Sequence, residues 1–184
     1  MKITKELLKE KGACVDGYRD FLKEYPVDKY PDGVEYQELL DCCAEKNFSY
    51  GSWLLGAFGK TDEVRKIEGD LIVEKGIIFA GQLEAEGCIK AGWGIEAGEG
   101  IEAGGGIEAG GGIEAGWDIE AGCGIKAGWD IEAGDGIEAG CEYGIYAGLR
   151  CRITHKTQRK IIAKKRPENI MCGEFEEKSD SEGK

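Results

Sequence analysis

The chain has 184 residues, a formal charge of −12, 31 glycines, 8 cysteines, 3 prolines and a single histidine. No run of about 18 apolar residues occurs, which excludes a membrane-spanning helix, and the opening segment lacks an apolar stretch of signal-peptide length. At roughly 150 residues per domain the length admits one domain and a small second one, and cysteines without a secretion signal read as free thiols in a reducing cytosol.

Residues 1–62 differ in composition from the remainder of the chain and are predicted to be a small helical domain of three or four helices. Thr4 is placed to cap a short helix over Lys5–Lys11. Cys14, Tyr18, Phe21 and Leu22 recur at helical spacing until Tyr25-Pro26 ends the run. After the loop PVDKYPDG comes a third segment with Leu39, Leu40 and Cys43. The fourth, SYGSWLLGAFG, sets Trp53, Leu54 and Phe58 on one face.

Residues 63–148 are dominated by a hexad. Isoleucine recurs every six residues at Ile89, Ile95, Ile101, Ile107, Ile113, Ile119, Ile125, Ile131 and Ile137, with the same phase in Leu71, Ile77 and Leu83. Each Ile-Glu-Ala triplet alternates apolar, charged, apolar, the period of a short strand, with Ile and Ala on one side and Glu on the other. The Gly-x-Gly or Gly-x-Asp after each triplet supplies a corner. A helix is excluded, because six is not a multiple of 3.6 and two glycines per hexad cost about 1 kcal/mol each. The expected architecture is α+β: the helical domain, then a single-stranded parallel β-helix, then capping strands. The hexads resemble those of left-handed parallel β-helices, in which three hexads close an 18-residue coil. The resemblance is incomplete, because that family places a small residue two before the aliphatic and this chain has Trp93, Glu99, Trp117, Cys123, Trp129 and Asp135 there. Coils of 12 or 24 residues remain open alternatives at this point.

After Ile137 the phase slips, and CEYGIYAG resumes at Ile145 with two extra residues. Residues 149–176 are read as basic capping strands, with LRCRITHK alternating and NIMCGEF a further strand. Residues 177–184 are read as a disordered acidic tail. Cys123 and Cys141 lie 18 apart, which would stack them in an 18-residue coil.

Charge carries the most chemical information. Between Ile67 and Glu142 stand seventeen acids against three lysines, a net −14, while residues 149–166 carry eight cations and no acid. Stacked coils turn the outward glutamates Glu96, Glu102, Glu108, Glu114, Glu120, Glu132 and Glu138 into an acidic ladder, the candidate partner-binding surface. Neighbours about 4.8 Å apart repel by roughly 1 kcal/mol even in water. A carboxylate rod imitates nucleic-acid phosphates. Solubility is the plainer explanation of the same charge. Trp93, Trp117 and Trp129 occupy one position of the hexad and form either an exposed aromatic stripe that binds a partner or covers for the glycine-rich corners.

The opening ITKELLKEKGACVDGYRDFL, the later SWLLGAFG, the GWDIEAG-type repeats and the ending KIIAKK…NIMCGEF together resemble uncharacterised phage and prophage proteins. That resemblance implies a phage origin, residence in the bacterial host cytoplasm and no known catalytic residue. Small phage accessory proteins of this class often inhibit host defence systems, CRISPR–Cas effectors among them. Enzyme readings find no support: the single histidine, His155, sits in a basic strand, and neither CxxC nor GxxxxGK[ST] occurs. The expectation is a non-enzymatic interaction protein without cofactor or metal. Its partner would be a host protein with a basic nucleic-acid-binding groove, of the Cas effector kind. The basic 149–166 segment offers nucleic acid or a second copy, as a homodimer, a further contact. The competing expectation is a structural or oligomerising rod with no inhibitory activity.

Overall fold

The computed structural model describes residues 1–140, 143–149 and 159–179 and divides into two units, Met1–Gly59 and Lys60–Lys184. In the first unit, β1 (Lys2–Ile3) pairs antiparallel with β2 (Val34–Glu35), a contact the sequence did not announce. Helix α1 (Lys5–Glu10) begins where expected, with the Thr4 hydroxyl accepting the Leu7 N–H at 3.3 Å. In α2 (Val15–Glu24) the capping group is the Cys14 thiol, which accepts from Gly17 N–H. Helices α3 (Tyr36–Lys46) and α4 (Phe48–Phe58) come next, and the Tyr36 hydroxyl donates to the carbonyls of Leu54 and Gly59. Leu54 and Leu55 are buried while Trp53 is 37% exposed, so the buried stripe of α4 is offset by one residue from the expected one.

The second unit is a three-sided parallel β-solenoid with an 18-residue coil. Its first face stacks β3 (Val64–Ile67), β6 (Gln82–Ala85), β9 (Ile101–Ala103), β12 (Ile119–Ala121) and β15 (Ile137–Ala139). On the second face lie β4 (Leu71–Val73), β7 (Ile89–Ala91), β10 (Ile107–Ala109), β13 (Ile125–Ala127), β16 (Ile145–Tyr146) and β18 (Ile170–Cys172). The third face holds β5 (Ile77–Phe79), β8 (Ile95–Ala97), β11 (Ile113–Ala115), β14 (Ile131–Ala133), β17 (Lys160–Ala163) and β19 (Glu174–Glu177). Strands stack in register, isoleucine on isoleucine and alanine on alanine, as in Ile89↔Ile107↔Ile125. Backbone bonds run between coils, for example Ile113 N–H to the Asp130 carbonyl at 3.0 Å. The triplet isoleucines from Ile89 to Ile131 are at most 1% exposed. Each such side chain contributes about 1.5–3 kcal/mol by burial, and repetition of that term lets a three-residue strand persist.

The corners explain the glycine content. A Cβ on Gly134 would lie 1.8 Å from the Gly116 carbonyl oxygen one coil below, so the first corner residue has no room for a side chain. The position after it accepts Trp, Glu, Asp, Cys or Gly. Despite the two-residue slip before it, Ile145 still stacks on Ile125.

Arginine–aromatic contacts sit at both ends of the stack. Arg65 takes the inward register opposite Leu83 and lays its guanidinium 4.5 Å over the Phe79 ring. In the last coil Arg166 lies 5.6 Å over Phe175. Pro167 falls six residues after Ile161, where the hexad calls for the first-face isoleucine. Proline cannot donate to a ladder, and the first face accordingly stops at β15. The NIMCGEF strands are present as β18 and β19, and Glu177, read as the start of the tail, belongs to β19. Most of LRCRITHK, with His155, and Cys141 lie outside the described residues, as do residues 180–184.

Candidate functional site

Closure at 18 residues sorts the expected ladder into three unlike columns. On the first face Lys66, Glu84, Glu102, Glu120 and Glu138 stack in that order. Among the described residues an ion pair neutralises the end of this column, where Lys66 lies 2.8 Å from Glu84, which holds the ammonium above its ordinary pKa. Glu120 is pushed upward by partial loss of hydration and by its neighbours Glu102, Asp118 and Glu138. Glu84 was missing from the expected ladder because QLEAEG departs from the IEAG spelling, although it lies 18 residues before Glu102.

The second face is different. Its column reads Ile72, Lys90, Glu108, Lys126 and Tyr146, so Glu108 stands between two lysines and is no part of an acidic run. The two IKA triplets, 36 residues apart, carry that signal in the sequence once the coil length is known.

On the third face Glu96, Glu114 and Glu132 stack between Ile78 and Ile162. Glu96 is only 7% exposed and does not project as a ladder rung. Glu132 meets Lys178 at 3.0 Å. The Glu114 carboxyl is pushed up to about 7, first by lost hydration and then by the charges of Glu96, Glu132 and Asp130, with Lys178 opposing. Burial raises Asp130 as well.

The tryptophans do not form one stripe. Trp93 and Trp129 share the corner between second and third faces, with Gly111 between them, as the bonds Gly111 N–H to Trp93 O and Trp129 N–H to Gly111 O show. Trp117 stands at the next corner, above Glu99 and below Asp135. All three are exposed, at 38%, 58% and 59% for Trp93, Trp117 and Trp129. Lys75 lies 4.6 Å over the Trp93 ring. Lys60 lies 4.6 Å over Trp117 while bonding Glu99 at 2.7 Å.

Two hollows accompany these surfaces. A trough of about 760 Å³ runs along the outer first face, with Glu102, Glu120, Glu138, Asp118 and Asp135 below the Lys165–Asn169 segment. Within the helical unit a cavity of about 380 Å³ is lined by Leu8, Phe21, Leu39, Leu54 and the thiols Cys14, Cys42 and Cys43. Burial pushes the Cys43 thiol up to about 12, which leaves it protonated and unreactive. Among the described residues no group of three His, Cys, Asp or Glu side chains is arranged to hold a metal ion. No described helix is long and apolar enough to cross a membrane.

The described cations of the basic C-terminal segment lie largely against carboxylates. Arg159 pairs with Glu174, Lys160 with Glu176, and Lys164 with Asp135 at 3.7 Å. These exposed pairs tie the last coils together at a few tenths of a kcal/mol each. Fold and site define the class: an acidic, three-sided parallel β-solenoid preceded by a helical unit. A scan against protein families and searches of curated proteins and of solved structures find no match to the chain.

Proposed function

We propose that the protein is a non-enzymatic, phage-encoded inhibitor that occupies the basic groove of a host nucleic-acid-handling or defence protein, of the CRISPR–Cas effector kind, by imitating nucleic-acid phosphates. The observation that carries this reading is the charge density around one edge of the solenoid. Glu84, Glu102, Glu120 and Glu138 on the first face, Glu114 and Glu132 on the third, and Glu99, Asp118 and Asp135 at the corner between them belong to this edge. They spread over three coil steps, about 14 Å of axis. Lysines meet four of them, Glu84, Glu99, Glu132 and Asp135. Among the described residues the net of about five charges is then roughly one per 2.8 Å, against one per about 1.7 Å along duplex DNA. Self-repulsion of this size opposes folding, and outward Gln or Thr would have avoided it. The neutral second face places that charge on one side of the rod.

The test is capture of partners from a bacterial lysate on the immobilised protein, at 50 mM and 300 mM salt. Wild type is compared with a variant in which Glu84, Glu102, Glu120 and Glu138 are changed to Gln. Capture of nucleic-acid-binding proteins, released by added duplex DNA, weakened by salt and lost in the variant, is the expected result. Capture that survives both the four changes and the higher salt would leave the solenoid a structural or oligomerising rod.

A further inference from the structure

We infer that the corner notch between Trp93 and Trp129 is a seat for the cationic head of a lysine or arginine side chain presented by a partner protein. Three tryptophans occupy equivalent corner positions, and two of them already hold a cation. Lys75, one coil before Trp93 in the same corner column, places its ammonium 4.6 Å over that ring. At Trp117 the neighbour below is Glu99, which holds Lys60 so that its ammonium also lies 4.6 Å over the ring. The corresponding neighbour of Trp129 is Gly111, which has no side chain to offer. Among the described residues no ammonium or guanidinium lies over Trp129, which is as exposed as Trp117.

The notch has the dimensions and the charge for such a guest. Corner positions two coils apart are separated by about 9.6 Å, so a group midway lies about 4.8 Å from each level. That matches the 4.6 Å at which this chain seats its own lysines, and lies inside the range of about 6 Å over which a ring face attracts a cation. Negative charge is supplied from the third-face side. The Asp130 carboxylate leans over the coil below, its Oδ1 only 2.7 Å from where a Cβ on Gly112 would sit. Glu114 stands close enough to Asp130 for the two charges to act on one another, while Glu132 beside them is met by Lys178. On the second-face side Glu108 is balanced by Lys90 and Lys126. An anionic guest would therefore meet carboxylates, and an uncharged aromatic guest would leave them unanswered. The seat rests on corner geometry and stands whether or not the acidic faces imitate phosphates.

The experiment tracks the four indole N–H resonances of the full chain by nuclear magnetic resonance. Short capped peptides with a central lysine or arginine are titrated in, and their neutral counterparts carry acetyl-lysine or citrulline. The signals of Trp129 and Trp93 should shift saturably at millimolar peptide with the cationic pair and not with the neutral pair. Gly111→Lys refills the seat from within. A Cβ there would sit 3.3 Å from the Gly94 nitrogen, a tight contact that a backbone shift of a few tenths of an ångström relieves. This variant should bind the cationic peptides at least fivefold more weakly, and Trp129→Leu, a change at an exposed position, should do the same. Resonances that stay still, shifts of equal size with citrulline or acetyl-lysine, or undiminished binding by both variants would each overturn the inference.

Discussion

The first and second faces of the solenoid have nearly the same inside and opposite outsides. Behind both runs a stack of isoleucine and alanine in identical register. In front of the second face the column alternates Lys90, Glu108, Lys126, so each charge has an opposite neighbour one coil away. In front of the first face Glu84, Glu102, Glu120 and Glu138 succeed one another with a single lysine at the end. The fold therefore does not require like charge, since the same backbone carries an alternating column without change of register. Charge on the first face is a cost that the shared interior offsets, and the difference between the faces is a property of surface use.

The comparison rests on the interiors being equivalent, and the largest expected effect tests that. Ile107→Ala behind the second face and Ile119→Ala behind the first should each destabilise by about 3 kcal/mol in urea denaturation. A difference much beyond 1 kcal/mol would mean that the faces differ inside as well.

The next effect belongs to the third face and depends on pH. Glu114 binds its proton more tightly in the fold, at about 7 against an ordinary 4.5. Ionising it therefore opposes folding, and stability is lost as pH rises from about 4.5 through 7. The side chain is more than a third exposed, so the full shift is discounted for solvent screening to about 1 kcal/mol. Glu114→Gln should stabilise by about that amount at pH 8 and change little at pH 4.5, read from thermal melts at the two pH values. A gain of equal size at both would assign the effect to packing.

Reversing single charges gives the sharpest sign test, at about 0.5–1 kcal/mol. Glu120→Lys sets a cation between Glu102 and Glu138 and should raise stability at low salt. Glu108→Lys lines up three cations on the second face and should lower it. Both effects should fade in 1 M salt, where the screening length falls to about 3 Å. Shifts of the same sign would remove the electrostatic difference between the faces.

Much of the architecture was legible in the sequence. Thr4 signals the start of α1, the Tyr25-Pro26 step ends α2, and the nine isoleucines at period six spell the solenoid with its inward and outward sides. Less of the site was legible. Seven glutamates read as one ladder became three on the first face, three on the third with Glu96 withdrawn from solvent, and Glu108 among lysines on the second. The β1–β2 pair, the Arg65 and Arg166 contacts at the ends of the stack, and Lys60 over Trp117 were silent, because none arises from a local period.

The sequence alone determined that the repeat forms strands and which side of each strand is buried, because alternation of apolar and charged residues needs no knowledge of neighbours in space. Which carboxylates share a column, which tryptophan stands over a lysine and which over a bare glycine were decided by tertiary structure. The physical reason is closure: the number of hexads per turn sets which residues meet across about 4.8 Å, and a period of six permits 12, 18 or 24. Chain closure at 18 residues turned a uniform acidic repeat into two acidic faces and a neutral one.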